Sequence, residues 1–559
     1  MKTASTQDKV LRIPRDRAIS SPGVGRQRVW IPATLLALFV LQSLWFIRTQ
    51  SLTYDEPGDI RGGVEAWQQG RFETWTEHPP LGRMWSTLLL ARTHVGISLE
   101  PLTFGYRVTA MQPGPEWVAW HTRPMNTLLG VMLGVALWFA TRRLFSEGSA
   151  NVALALFAFT PSLIAHFSLS TTDGAGTLFI FLVAFQLVRW RRHPSRGQTA
   201  LVGLVLGGLL LSKMYAPPLV LLALGLMLTL GRSTEGQSQQ RWNWKPVLLA
   251  LSVALVTLWA GYFFHVTHLK LGNGQLVVRY PNRPVRVYPT EMQASLGALV
   301  PAGEFFEGLR KVARDNHRGS PAWFLGQVYP KGGIKTYYAV AIALKWPTVL
   351  LGLFLCSLIL GLRKTCRAPD DLLLMCLFGL VFLGFALYSR FDIGDRLILP
   401  LYPFALLVAG GIWEQARKHR AAMTIVMVAL CLNAADALRY APGYLSYFNI
   451  FVKPQTSWRL LTDSNLDWGQ GLLALRQYER QHPNEDVYLA YFGSVDPELY
   501  GIRATPLPPN QRVSGTVAIG ATCLSGQTLD NREGYRWLWP YHPREVLDHA
   551  MWVYDVEQK

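Results

Sequence analysis

The chain has 559 residues, 50% of them hydrophobic and only 16% charged, with a formal net charge of +18. A soluble chain carries roughly a quarter charged residues, so this balance, with 20 Trp and 34 Pro, points to a bilayer. The positive charge sits in short clusters between apolar runs (Arg142-Arg143, Arg189 to Arg192, Arg363-Lys364, Arg417 to Arg420), which argues against a nucleic-acid partner and matches cytoplasmic loops.

Residues 1–29 carry Lys2, Lys9, Arg12, Arg15, Arg17, Arg26 and Arg28 against Asp8 and Asp16, and read as a disordered cytoplasmic tail. The apolar run Trp30 to Ile47 follows. It ends in bulky Trp45 and Phe46 before Arg48, unlike the small-residue cleavage site of a secretory signal, so it reads as an uncleaved first span. Leu81 to Ser98 is the ambiguous segment. Counting it as a span would put every later basic cluster outside, whereas a dipping or interfacial helix, suited to Arg83 and Arg92, keeps them all inside. The first outer loop then covers residues 50–123.

Ten more spans are expected: Met125–Ala140, Ala150–His166, Gly174–Val188, Thr199–Leu211, Ala216–Leu230, Pro246–Phe264, Tyr337–Leu362, Leu372–Leu387, Leu397–Trp413 and Ala421–Leu438. Ser233 to Gln240 reads as a linker, and His265 to Thr336 as a second outer loop. The expected fold is therefore an α-helical polytopic membrane protein of about 11 transmembrane helices, with a membrane module over 30–439. From Tyr440 the composition changes. Turn dipeptides (His482-Pro483, Asp496-Pro497) and the alternating run Val487-Tyr488-Leu489-Ala490-Tyr491 predict a small C-terminal α/β extracytoplasmic domain over 440–559.

The densest polar group lies just past the first span: Thr53-Tyr54-Asp55-Glu56-Pro57, then Glu77-His78-Pro79-Pro80. Adjacent carboxylates at a membrane face can take a proton from a hydroxyl or hold a divalent cation. The alternative is helix capping ahead of Pro57, and spacing alone favours it. Asp173, in Ser170-Thr171-Thr172-Asp173-Gly174, faces the same choice. Outer-side cations are sparser: Lys213, Lys345 inside an apolar run, and Arg390 and Arg396 flanking Asp392 and Asp395. They suit a lipid-linked phosphate, with snorkelling as the alternative for the two lysines. The five cysteines form no C-x-x-C pair, which suggests neither a zinc knuckle nor a disulfide framework. No G-x-x-x-x-G-K-[ST], G-x-S-x-G or H-E-x-x-H occurs, so ATPase, serine hydrolase and zincin chemistries have no visible machinery.

In order along the chain, Tyr54-Asp55-Glu56, His78-Pro79-Pro80-Leu81-Gly82, Arg123-Pro124, Thr171-Thr172-Asp173, Lys345-Trp346-Pro347 and Asp395-Arg396-Leu397-Ile398-Leu399-Pro400-Leu401-Tyr402-Pro403 resemble the integral-membrane glycosyltransferases of the C-type (GT-C) fold. That group includes protein O-mannosyltransferases and lipid A aminoarabinose transferases. Tyr447-Phe448-Asn449 and Asp463-Ser464-Asn465-Leu466-Asp467-Trp468-Gly469-Gln470 resemble a bacterial subgroup.

The resemblance implies transfer, with inversion, from a polyprenyl-phosphate sugar to a glycan, lipid or protein acceptor outside the cytoplasm. Asp55 would be the base, with Glu56 and His78 in support. Asp173 would lie near a substrate, and Arg396, Lys345 and Lys213 would hold the phosphate. Members differ in their need for a divalent metal, which stays open here. The implied location is the cytoplasmic membrane, with the N-terminus inside and the site outside. Two departures are plain: the second outer loop is too short for the trefoil-like domain of protein mannosyltransferases, and the oligosaccharyltransferase signature Trp-Trp-Asp-Tyr-Gly is absent. A transporter or flippase of lipid-linked sugars is the rival expectation, although no internal repeat is visible. A structural membrane subunit, in which the outer acids are dispensable, is a third.

Overall fold

The computed structural model describes residues 29–102, 105–231, 242–272, 275–279, 286–289 and 298–557. The expected tail, save Val29, and the linker Ser233 to Gln240 lie outside the described residues. The protein is helical. Among the described residues, seven helices are long and apolar enough to cross a membrane: Trp30–Thr49, Pro115–Leu144, Asp173–Arg192, Trp244–Gly261, Pro369–Tyr388, Asp395–Ala416 and Arg420–Arg439. An eighth crossing results if Tyr337–Lys345 and Thr348–Ile359, bent by 110°, count as one.

The difference from eleven has local causes. Arg196–Leu210 and Ala216–Leu230 are apolar but only 15 residues each, short of the roughly 20 a straight span uses. The expected span Ala150–His166 is interrupted at Phe159-Thr160, where Glu147–Ala158 ends and Pro161 starts a new helix. Tyr337–Leu362 breaks at Trp346-Pro347 because proline biases its predecessor toward extended backbone.

Burial ranks the helices. Asp395–Ala416 is central, with 89% of its apolar window buried, and Asp173–Arg192 follows with 78%. Arg420–Arg439 and Trp244–Gly261, at 17% and 22%, form the rim. The two most buried spans thus carry Arg396 and Asp173 at their starts.

Leu81 to Ser98 does not form a span. Pro80–Ser86 is a short helix, Leu88–Leu90 a single turn with Leu88 and Leu89 exposed, and Gly96–Pro101 the first strand of an antiparallel hairpin with Tyr106–Gln112. Arg83, expected at an interface, is buried and donates to the carbonyls of Thr74 and His78.

After Trp244–Gly261, the strands Val266–Gly272, Gln275–Arg279, Arg286–Pro289 and Ala298–Pro301 form an antiparallel sheet, followed by helix Gly303–Arg318. Beyond Arg439 a five-stranded mixed sheet runs in the order Thr505–Pro506, Val487–Ala490, Gly515–Gly520, Met551–Val556, Glu545–Leu547. The first three strands are parallel, and the last two add antiparallel.

This C-terminal stretch is stitched into the first loop. Ser51 and Tyr54 donate backbone bonds to the carbonyls of Gln470 and Trp468, at 3.0 and 2.9 Å, and Leu52 donates to the Tyr500 hydroxyl at 2.8 Å. Val108 bridges Val495.

Candidate active site

Asp55 precedes helix Glu56–Gln69, which Pro57 starts in its first turn. Its side chain makes no capping bond. Instead Oδ2 accepts from Arg396 Nη1 at 2.7 Å. Nη1 is also 3.9 Å from Asp173 Oδ2, and Asp173 Oδ1 is 2.7 Å from Lys213 Nζ. The Arg396 guanidinium lies 4.0 Å over the ring of Trp468, which is buried. A row of alternating charge therefore runs Lys213, Asp173, Arg396, Asp55, and its most exposed side chain is Asp55 at 19%. Each charge is offset by a neighbour of opposite sign, as burial demands.

Asp55 opens onto a cavity of about 430 Å³, lined by Tyr54, Asp55, Trp75, Glu77, His78, Leu99, Pro101, Gly105 and Tyr106. Trp75 meets Tyr106 edge-on at 5.1 Å, and Tyr54 stacks on Phe492 at 5.2 Å. The hairpin supplies the far wall. Gly105 has φ +80°, and a Cβ there would overlap the Tyr54 hydroxyl, so close approach as well as backbone requires glycine. Burial and then the nearby Asp55 push the Tyr54 hydroxyl up to about 12, so it stays protonated. Burial pushes the Glu77 carboxyl up, but His78 and Lys311 outweigh it and hold it below its ordinary value.

His78 lines this cavity, with Nδ1 3.1 Å from Asp59 Oδ1 and 3.3 Å from Thr172 Oγ1. It joins the helix after Asp55 to the turn before Asp173.

Two expected site residues point elsewhere. Glu56 is fully buried. Its Oε1 accepts from Arg123 Nε at 2.8 Å and Ser170 N at 2.7 Å. Its Oε2 accepts from Arg123 Nη2 at 2.7 Å, Thr53 N at 2.7 Å and Thr53 Oγ1 at 3.0 Å. Arg123, also fully buried, donates to the carbonyls of Gln50 and Ser51. The pair is a clamp joining the first loop to two spans, with its lone pairs committed.

Lys345 neither snorkels nor faces the cleft. Its Nζ donates to the carbonyls of Leu445, Tyr447 and Asn465 at 3.0, 2.6 and 2.6 Å, using all three hydrogens at the bend between Tyr337–Lys345 and Thr348–Ile359.

Among the described residues no group of three or more His, Cys, Asp or Glu converges to hold a metal. At Asp55 the opposing charge comes from Arg396, so these residues do not fit a divalent ion.

Residue types alone did not single out Asp463 and Trp468 as site residues, although both lie in the polar run Asp463 to Gln470. Asp463 sits at φ +58°, with Oδ1 accepting from Ser464 N and Oδ2 from Gln527 Nε2. Burial pushes its carboxyl up to about 7, against the pull of Arg396. Burial likewise pushes Asp467 up to about 6. A value raised by folding means the folded state holds the proton more tightly. The stabilisation is therefore complete below the ordinary carboxylate range and is lost as pH climbs to the folded value. Relative to Asp463→Asn, wild type is expected to lose thermal stability from about pH 4 to about pH 7. Parallel melting curves for the two proteins across that range would remove Asp463 as the source.

Residues 116–259 match the model of the dolichyl-phosphate-mannose-protein mannosyltransferase family. No curated protein matches. Among solved structures, the ArnT of Cupriavidus metallidurans bound to undecaprenyl phosphate aligns at 14% identity and a TM-score of 0.46, covering 94% of this chain and 97% of that one. The S. cerevisiae protein O-mannosyltransferase Pmt1-Pmt2 complex bound to the sugar donor aligns at 11% and 0.43, covering 74% and 90%. The Archaeoglobus fulgidus oligosaccharyltransferase AglB, in complex with an inhibitory peptide and a dolichol-phosphate, aligns at 10% and 0.42, covering 93% and 73%. Over residues 116–259, which include Asp173 and Lys213 of this site and Arg123 of the clamp behind it, the chain is similar to the dolichyl-phosphate-mannose-protein mannosyltransferases, part of the wider group its ordered motifs resemble.

Proposed function

We propose that the protein transfers a sugar from a polyprenyl-phosphate donor to a hydroxyl of a glycan, lipid or protein acceptor, with inversion and with Asp55 as general base. The observation that carries this reading is the charge row Lys213, Asp173, Arg396, Asp55, which ends at the aromatic cavity. The acceptor O–H gives its proton to the Asp55 carboxylate as its oxygen bonds to the anomeric carbon. The carbon–oxygen bond to phosphate breaks on the opposite face, and its electron pair leaves on a phosphate oxygen. Arg396 and Lys213 offset that charge from a water-poor setting, where fixed cations act strongly.

Asp173 is a positioning residue that holds both cations. Arriving phosphate draws Arg396 away from Asp55 and frees the carboxylate as a base. Tyr54, Trp75 and Tyr106 offer apolar faces to sugar C–H bonds, while Asp55, Glu77 and His78 meet hydroxyls. Glu56 and Lys345 act through the scaffold in this reading.

In the same reading the protein is integral to the cytoplasmic membrane, with its N-terminus inside. The site lies outside, as does the small α/β domain of residues 440–559. Eleven crossings are retained if the two 15-residue helices and the two broken pairs each cross once.

The transfer is tested with purified protein, radiolabelled polyprenyl-phosphate sugars and an envelope extract. Release of polyprenyl phosphate coupled to acceptor labelling is expected. No release with any donor sinks the reading, and movement of intact donor across vesicles without release favours a flippase. For topology, a single cysteine at exposed Gln511, in a chain stripped of its native cysteines, is expected to react with an impermeant maleimide in intact spheroplasts. Labelling only after permeabilisation overturns the outside assignment.

A further inference from the structure

Away from the reaction cleft, at the same end of the spans, lies a cavity of about 500 Å³. It is framed by Arg48 and Thr49 at the end of the first span, by Tyr440 at the end of Arg420–Arg439, and by Leu473, Arg476 and Arg480 on helix Leu472–Gln481. A second cavity of about 400 Å³ shares Arg48, Gln50, Leu473 and Arg476 and continues against Ile47, Ala119 and Trp120. A basic chamber is thus joined to an apolar flank.

We infer that this pair of cavities binds the phosphate of an anionic lipid headgroup, with Arg48, Arg476 and Arg480 as its cationic contacts.

Three observations carry it. First, the charge is available. Arg48 and Arg480 are exposed and make no ion pair among the described residues, while Arg476 is held by Glu116 and by the Tyr500 carbonyl. Guanidinium groups suit phosphate because their planar fork gives paired hydrogen bonds.

Second, the acids are accounted for: Glu116, which lines the second cavity, is spent on Arg476 and leaves Arg48 and Arg480 to a ligand. Asp548 lines the basic chamber, and burial pushes its carboxyl up to about 7, with a Gln50 hydrogen bond opposing. His549 is pushed below its ordinary value by burial and by Arg439, so it is neutral and the attraction for a phosphate rests on the arginines.

Third, the level and shape suit a lipid. Trp45, Trp117 and Trp120 are exposed around the chamber's end of the spans, as belts at the headgroup level are. Ile47, Ala119 and Trp120 offer a path for the first carbons of an acyl chain, which free phosphate would not use. Basic pockets between spans are a known way of holding anionic headgroups.

The test uses purified full-length protein in a neutral detergent. Dihexanoyl phosphatidylglycerol is titrated below its micelle threshold, with tryptophan fluorescence as the readout. Inorganic phosphate and dihexanoyl phosphatidylcholine are the comparison probes. The double variant Arg48→Gln/Arg480→Gln leaves the reaction cleft untouched, and a melting curve confirms that it folds. Saturable binding of the phosphatidylglycerol is expected, weakened about 25-fold in the double variant, with both comparison probes far weaker. Equal affinity in wild type and variant overturns the site. Inorganic phosphate binding as tightly as the lipid overturns the lipid assignment. Because the readout is binding alone, loss of sugar transfer would not affect it.

Discussion

Asp55→Asn is expected to lower kcat roughly a thousandfold, in the range a positioned general base contributes, while donor binding stays within about threefold. The substitution conserves shape. An amide oxygen can still accept from Arg396 Nη1, now 2.7 Å from the carboxylate, so the guanidinium keeps its place over Trp468. The ability to take a proton is lost. Release of polyprenyl phosphate, followed at saturating donor, is the measurement. Normal turnover would reduce Asp55 to a counter-ion for Arg396 and leave the proton acceptor to be sought elsewhere.

One residue on, the expected phenotype is different. Glu56→Ala strands the Arg123 guanidinium in a fully buried position and leaves the amides of Thr53 and Ser170 without their acceptor. Breaking a buried pair in this way costs about 3–5 kcal/mol. A large drop in melting temperature in detergent is expected, or failure of the protein to accumulate. Since membrane proteins often unfold irreversibly, half-life at fixed temperature is the safer measurement. The fraction that folds should turn over within about threefold of wild type. Wild-type melting with lost turnover would return Glu56 to the chemistry.

This contrast is where sequence reasoning ran out. The acid-rich loop and the sparse cations were legible from the order of charges, and the tie between basic clusters and one bilayer face is what assigns them a side in the proposed topology. Which of two adjacent carboxylates faces the cleft was not. Successive residues at a helix start project about 100° apart, and only the position of Arg123, in the next long helix, shows that Glu56 turns inward. Capping looked the better account of Asp55 on spacing, yet Arg396 claims its oxygen.

Lys345 was legible as anomalous, since a lysine in an apolar run needs partners. Its acceptors are three carbonyls between Leu445 and Asn465, which no local pattern ties to it. The hairpin Gly96–Gln112 was missed because its first strand begins inside an apolar stretch that hydropathy averages into one segment. Trp468 was visible only as part of a polar run in the tail, and its partnership with Arg396 exists only in three dimensions.

The stitching of residues 445–470 into the first loop bears on how the protein is made. A ribosome finishes the span Arg420–Arg439 before it has produced any carbonyl for Lys345 or the indole that lies under Arg396. Until those residues emerge, Lys345 is an unshared cation in an apolar helix and Arg396 lacks one face of its setting. In the proposed reading the half-finished chain therefore sits in the bilayer with its reaction centre incomplete. Under the proposed function it acquires that centre only once residues 445–468 have been made and folded back, so partly synthesised molecules would be inactive toward a lipid-linked donor.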